Sequence, residues 1–219
     1  MFVDRFRWQW NTFPYGPEEH VCCFKTALTF VDSVSELWGP LLCGRSVLIV
    51  PREVTKDPER LISVLDHHKV QRLVLVPSLL RGILMVVRPG ELEHLTTWVC
   101  SGEPLSAQLA RDFFDHFNDE RHKLCNFYGS TEIMGDVTYH VLNSAAEVKQ
   151  MTKVPIGRAV DNTSIYLLDD NYRPVVSGGM GELFVSGLNL AMGYVNNRDP
   201  ERWVTNPLTV DPGNKLIPH

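Results

Sequence analysis

Apolar residues along this chain come in short aliphatic runs, each followed by a longer stretch in which they recur at helical spacing. Residues 47–50 form one such run, stopped by Pro51, and read as a buried strand. A helix is predicted to follow. Asp57 can cap its first free N–H groups, Pro58 suits its first position, and Leu61, Ile62 and Leu65 fall on one face. The alternation repeats with a strand over 73–76 ended by Pro77, then Leu79, Leu80, Ile83 and Leu84 at helical spacing. A third strand over 97–100 precedes a helix capped by Ser106 that carries Leu109, Phe113, Phe114 and Phe117. Residues 123–127 make a fourth strand.

Strands that alternate with helices of this length predict an α/β fold, a mostly parallel sheet with flanking helices, because parallel neighbours need crossover connections. Its chemistry is expected in loops at the carboxyl ends of the strands, which begin here at Pro77, Gly102 and Tyr128. After about residue 152 the pattern changes to short alternating runs, 164–168 and 182–186, separated by Asp169-Asp170-Asn171 and Ser177-Gly178-Gly179. This predicts a small antiparallel β subdomain with tight turns. The expected division is 1–153 for the α/β part and 154–219 for the β-rich part.

Composition narrows the function. At 219 residues and 44% hydrophobic content the chain can bury one sizeable core. A net charge of -5, with no run of Lys or Arg, argues against nucleic acid. The five cysteines have neither a C-x-x-C pair nor metal-ligand spacing, which fits reduced thiols. Charges at Asp4, Arg5 and Arg7 interrupt any signal-peptide core, and no apolar run reaches the ~20 residues of a membrane helix. A soluble, cytoplasmic protein without a membrane partner is the expectation. His67, His68 and His116 fall near predicted helix ends, where a dipole contact is the ordinary role.

Two stretches carry candidate chemistry. The loop Asn126-Phe127-Tyr128-Gly129-Ser130-Thr131-Glu132 follows a strand and brings an aromatic ring, a glycine, hydroxyls and a carboxylate together. Such a set can stack on a base, hydrogen-bond a phosphate and hold Mg²⁺, but residue types alone favour a plain capped turn. Gly181 to Gly187, continuing to Gly193-Tyr194, is by itself a strand and a glycine turn.

In this order and spacing the two stretches resemble core motifs of the adenylate-forming superfamily, which contains acyl-CoA synthetases, luciferases and nonribosomal peptide synthetase adenylation domains. The Y-G-x-T-E loop is matched by Tyr128, Gly129, Thr131 and Glu132, and the G-E-L-x-x-x-G…G-Y motif by Gly181 through Tyr194. Ser101-Gly102-Glu103-Pro104-Leu105 is similar to the loop flanking the adenine, and residues 30–44 to the segment that begins the substrate pocket. Trp8-Gln9-Trp10, Phe13-Pro14-Tyr15 and residues 25–32 point within the peptide synthetase branch to the Ebony-type β-alanyl-amine synthetases.

The resemblance implies ATP-dependent activation of a carboxylic acid with Mg²⁺, followed by transfer to a phosphopantetheine carrier in a longer parent protein. It implies that Tyr128 stacks on adenine and that Gly102, Glu103, Pro104, Asn126, Phe127 and Gly129 line the nucleotide. Thr131 would meet the α-phosphate, and Glu132 would bind the metal. The implied substrate pocket contains Val31, Asp32, Ser35, Leu75, Val99, Ser101, Phe127, Gly135 and Asp136. In α-amino-acid-activating domains an aspartate directly follows the phenylalanine matched by Phe30; here Val31 stands there and Asp32 comes one residue later. A β-amino acid carries its ammonium roughly 1.5 Å farther from the reacting carboxylate, which suits a displaced partner. The family associates this order with β-alanine, and Asp136 is a candidate second carboxylate. From the residues alone, Asp32 is also a candidate cap for a helix carrying Val34, Leu37, Trp38 and Leu41.

The family's phosphate-binding loop precedes the matched region, and its ribose-binding motif and C-terminal domain follow it. The chain is therefore expected to be an internal piece, inactive alone. Two other readings stay open: a non-catalytic nucleotide- or amino-acid-binding protein, and an acyl-CoA synthetase relative that needs no ammonium partner.

Overall fold

Cap chemistry and buried helix faces set the first half of the molecule. The computed structural model describes residues 2–117, 120–209 and 213–218. Helix α1 (Phe2–Thr12) leads to β1 (Val21–Phe24), α2 (Asp32–Leu41) and β2 (Ser46–Ile49), and β1 and β2 pair in parallel. A single turn, α3 (Arg52–Thr55), precedes α4 (Pro58–His67). Asp57 caps α4 as expected, its Oδ1 accepting from Arg60 N at 3.2 Å, and Leu61, Ile62 and Leu65 are buried. Next come β3 (Arg72–Leu75), α5 (Pro77–Leu84), β4 (Thr97–Cys100) and α6 (Ala107–His116). The Ser106 hydroxyl accepts from Leu109 N at 3.1 Å and starts α6, which packs Phe113 against Trp98 at 5.4 Å between ring centres.

β3 begins one residue earlier than the sequence pattern predicts, at Arg72. This arginine is buried at the strand's start because it is fully paired: Nε and Nη2 bind the Glu19 carboxylate at 2.9 and 3.2 Å, and the Phe13 and Pro14 carbonyls accept from Nη1 and Nη2. A buried charge is tolerated when its partners replace water in this way. The pair ties residues 13–19 to the sheet.

The fourth predicted strand is longer than expected. β5 (Lys123–Ser130) passes through a short turn into β6 (Gly135–Leu142), and after α7 (Ala145–Lys149) β7 (Arg158–Ala159) follows. The sheet order is β3-β4-β5-β6-β7, with β3, β4 and β5 parallel and the β5–β6 and β6–β7 pairs antiparallel. Antiparallel pairing thus begins inside the first sheet, before residue 152. The run 135–142 escapes a periodicity reading because it follows β5 after only a few residues, through Met134 and Gly135 at positive φ.

The second sheet comprises β8 (Thr163–Leu168), β9 (Glu182–Gly187), β10 (Val204–Thr205) and β11 (Lys215–Pro218), in the antiparallel order β10-β11-β9-β8. Its first turn is closed by Asp169, whose Oδ1 accepts from the Asn171 and Arg173 N–H groups at 2.9 Å. The two sheets meet through a buried cluster of Ile133, Val137, Val185 and Ile217. That contact fixes the β5–β6 turn, where Glu132 sits, against the second sheet. Among the described residues no helix is long and apolar enough to cross a membrane. All five cysteines are unpaired.

Candidate active site

A cleft of about 370 Å³ opens at the carboxyl ends of β4 and β5. It is lined by Gly102, Glu103, Pro104, Leu105, Asn126, Phe127, Tyr128 and Gly129, with Val154 and Ile156 closing one side. All seven residues matched to nucleotide binding thus lie on one cavity. Backbone shape dominates its construction. Gly102 adopts a positive φ of +82°, and Gly129 lies at a register shift of the β5–β6 ladder. A Cβ at Gly129 would stand 1.8 Å from the Gly135 carbonyl oxygen, so no other residue fits without moving the chain. The Asn126 amide donates to the Pro155 carbonyl at 2.9 Å. The Glu103 carboxylate accepts from Ser78 N and Oγ, both at 2.9 Å, and so caps α5 from a neighbouring loop.

Beside the cleft, Thr131 is exposed and Glu132 is half-buried. The Glu132 carboxylate accepts hydrogen bonds from the Tyr194 hydroxyl and, at 2.7 Å, from Ser130 Oγ. These bonds, the Tyr194 one first, hold its pKa down to about 2. Its backbone carbonyl accepts from Ala191 N at 2.7 Å. The result is an ionised, oriented carboxylate beside the cleft, the oxygen donor that Mg²⁺ prefers. No group of three or more His, Cys, Asp or Glu placed to hold a metal gathers anywhere among the described residues. A magnesium ion here would take one protein carboxylate and complete its shell with phosphate and water oxygens.

A second, much smaller cavity of about 20 Å³ lies between α1, α2 and the start of β6. It is lined by Arg5, Phe6, Val31, Asp32, Val34, Ser35, Met134, Gly135 and Asp136. Five of the residues matched to the substrate pocket meet here, and Ser101 joins them by donating to Asp136 Oδ1 at 2.9 Å. Phe127 lines the larger cleft. Leu75 and Val99 line neither cavity: Leu75 is in the main core, and Val99 packs with Trp8, Cys125, Phe127 and Tyr139.

Asp32 does not cap its helix. The N-cap position of α2 is Val31, with helical dihedrals and no side-chain bond to the free N–H groups. The Asp32 carboxylate instead faces Asp136 on β6, Arg5 on α1, Glu36 on its own helix and the Ser101 hydroxyl. Burial, then the Asp136 and Glu36 charges, push its pKa up to about 7, while Ser101 and Arg5 pull against them. Glu36 is committed elsewhere, holding Lys25 and Thr26 through four hydrogen bonds of 2.8–3.1 Å.

Sequence reasoning missed Arg5 and Tyr194 as site residues. Tyr194 belongs to the quoted G-Y motif, but its bond to Glu132 spans 62 positions. Arg5 reaches Asp136 across 131 positions, and its one local signal is Trp8 three residues later on the same helix face.

A parallel-rich α/β sheet with a cleft at its carboxyl edge and a bonded carboxylate beside it is the arrangement in which open α/β folds place a ligand site. The chain belongs to the AMP-binding enzyme family, whose model matches residues 3–195. It is 56% identical over 216 residues to the β-alanyl-bioamine nonribosomal peptide synthetase ebony of Drosophila melanogaster, covering 95% of this chain and 25% of that protein. The chain thus spans about a quarter of that relative. A crystal structure of a four-domain nonribosomal peptide synthetase bound to AMP and glycine superposes with a TM-score of 0.83 at 26% identity, over 99% of this chain and 16% of that one. The peptide synthetase FmoA3 in its AMPPNP-bound form superposes with a TM-score of 0.86 at 24% identity, over 99% of this chain and 23% of that one, a likeness of fold.

Proposed function

We propose that this chain is the central part of a domain that activates a β-amino acid, β-alanine, with ATP, within a longer nonribosomal peptide synthetase-like protein. A substrate carboxylate oxygen attacks the α-phosphorus, the bond from that phosphorus to the bridging oxygen breaks, and pyrophosphate leaves. The acyl adenylate then passes its acyl group to the thiol of a phosphopantetheine carrier, releasing AMP. Adenine stacks on Tyr128 between the loop of Gly102 to Pro104 and the end of β5, Asn126 to Gly129. Thr131 meets the α-phosphate. Glu132 would hold Mg²⁺, which would supply charge neutralisation at the phosphates, and positioning and charge stabilisation supply most of the catalysis in such a displacement. We divide the chain at about residue 154 into the α/β core and the β-rich part that holds Glu132 from the far side.

The observation that carries the substrate assignment is the half-buried Asp32 carboxylate, which caps nothing and has no ion-pair partner among the described residues. A substrate ammonium is the partner it lacks, because a carboxylate partly withdrawn from water without one is costly. Fatty and aryl acids would leave it unpaired. Similarity to a relative named for its β-alanyl product supports the choice of β-alanine.

The test is amino-acid-dependent exchange of pyrophosphate into ATP by the full-length protein. β-Alanine should support exchange, propionate should not, and Asp32→Ala should abolish the β-alanine response. Equal exchange with propionate, or an Asp32→Ala variant that responds to β-alanine as before, would sink the assignment.

A further inference from the structure

Both Asp136 carboxylate oxygens already hold a partner. Its Oδ2 is bonded by Arg5 Nη2 at 3.1 Å and its Oδ1 by the Ser101 hydroxyl at 2.9 Å. Arg5 is fixed in turn: its guanidinium carbon lies 4.3 Å from the centre of the Trp8 ring and 5.7 Å from that of Phe127, and Nη1 bonds Gln9 Oε1 at 3.4 Å. The Arg5 and Asp136 side chains are only 12% and 9% exposed. Asp32 lines the same small cavity without such a partner.

Resting on the reading that Asp32 meets the substrate ammonium, we infer that Arg5 is a positioning residue for specificity. By neutralising Asp136 it leaves Asp32 as the pocket's one unpaired carboxylate, matched to a substrate with a single ammonium. The charge count follows from the groups facing the cavity. Arg5 cancels Asp136, Glu36 is cancelled by Lys25, and Ser101 is neutral, so one negative charge remains for one positive charge on the ligand. Removing Arg5 leaves two carboxylates for one ammonium, one of them buried and unpaired. Removing the Asp136 charge leaves a guanidinium close to the incoming ammonium. Either single change upsets the balance, and removing both charges restores it.

The test is a double-variant cycle in the full-length protein, read by β-alanine-dependent pyrophosphate exchange. Asp136→Asn should raise KM for β-alanine roughly tenfold or more, and Arg5→Met should raise it by a similar factor, with kcat and KM for ATP moved much less. Asn at 136 keeps an acceptor for Ser101. The combined Arg5→Met, Asp136→Asn variant should return KM to within about threefold of the unmodified value, a coupling that independent effects cannot give. If the double variant is as impaired as the worse single one, Arg5 serves only to pack α1 and the inference is overturned. Should a single variant fail to fold, the double variant still decides on the same criterion. Loss of β-alanine response in Asp32→Ala alongside an additive cycle overturns the role of Arg5 alone. A β-alanine response untouched by Asp32→Ala overturns the substrate reading, and the role of Arg5 with it.

Discussion

The two cavities are built by different means. The larger cleft is shaped by backbone: the loop after β4, the carboxyl end of β5, a glycine at positive φ and a glycine at a ladder irregularity, each on its own short stretch of sequence. The small pocket is shaped by charge, with Arg5, Asp32, Ser101 and Asp136 arriving on four separate elements. The first can fail only by moving the chain, and the second can fail with every backbone atom in place. Damage to the cleft should therefore cost activity with every amino acid, and damage to the pocket should change which amino acid is accepted.

The sharpest test of the backbone half is Gly129→Ala. A methyl group there meets the Gly135 carbonyl oxygen at 1.8 Å, a contact with backbone that no side-chain rotation relieves. The expected loss is about 3 kcal/mol of stability or more, the upper range for forced overpacking. Exchange should vanish with all amino acids. Thermal unfolding and ATP-analogue binding check it, and a variant of normal stability would show that the β5–β6 turn gives way freely.

Next in size is Glu132→Gln, which removes a charge while keeping an oxygen for Ser130 and Tyr194. kcat should fall on the order of 100-fold or more, as when a group facing developing charge is lost. KM for β-alanine should hardly move. Because Glu132 is held near 2, it stays ionised across the working range and adds no step to the pH profile above about pH 4. A large change in β-alanine KM would mean that the two regions are not separate.

The pH dependence should then come from the pocket. Asp32 has a pKa of about 7 in the free protein, and only its ionised form pairs with an ammonium. Below pH 7 the carboxylate is mostly protonated, so kcat/KM for β-alanine should rise about tenfold per pH unit and level off above about pH 8. KM for ATP should show no such step. A flat β-alanine profile between pH 5.5 and 8.5 would place the titrating carboxylate elsewhere.

The same contrast explains how much was legible in the sequence. Asp57 and Ser106 act locally, and each caps the helix its position predicts. The 97–100 strand falls where its apolar run lies, and Asn126 to Gly129, expected as a loop and found at the end of β5, line the cleft. What escaped was non-local. α1 alternates aromatic and charged residues, and its Arg5 gains meaning only beside Asp136. β3 starts at Arg72, a poor strand signal until Glu19 is seen to neutralise it. No window of a dozen residues contains both members of either pair, whereas each of the cleft's two main segments, 102–105 and 126–129, falls within one.

The smallest expected effect lies at the rim of the cleft, where backbone and charge meet. Glu103 contributes a side chain, but it works as a remote cap on α5 through Ser78 N and Oγ. Losing a cap costs about 0.5 to 2 kcal/mol of local order, here in the loop from Gly102 to Leu105. Glu103→Ala should therefore raise KM for ATP by about two- to fivefold through that loop, with kcat and the choice of amino acid unchanged. Ser78→Ala should reproduce part of the effect and add little to it, because both changes open the same contact. A fall in kcat by orders of magnitude would instead make Glu103 a participant in the chemistry, and the cleft would no longer be a region shaped by backbone alone.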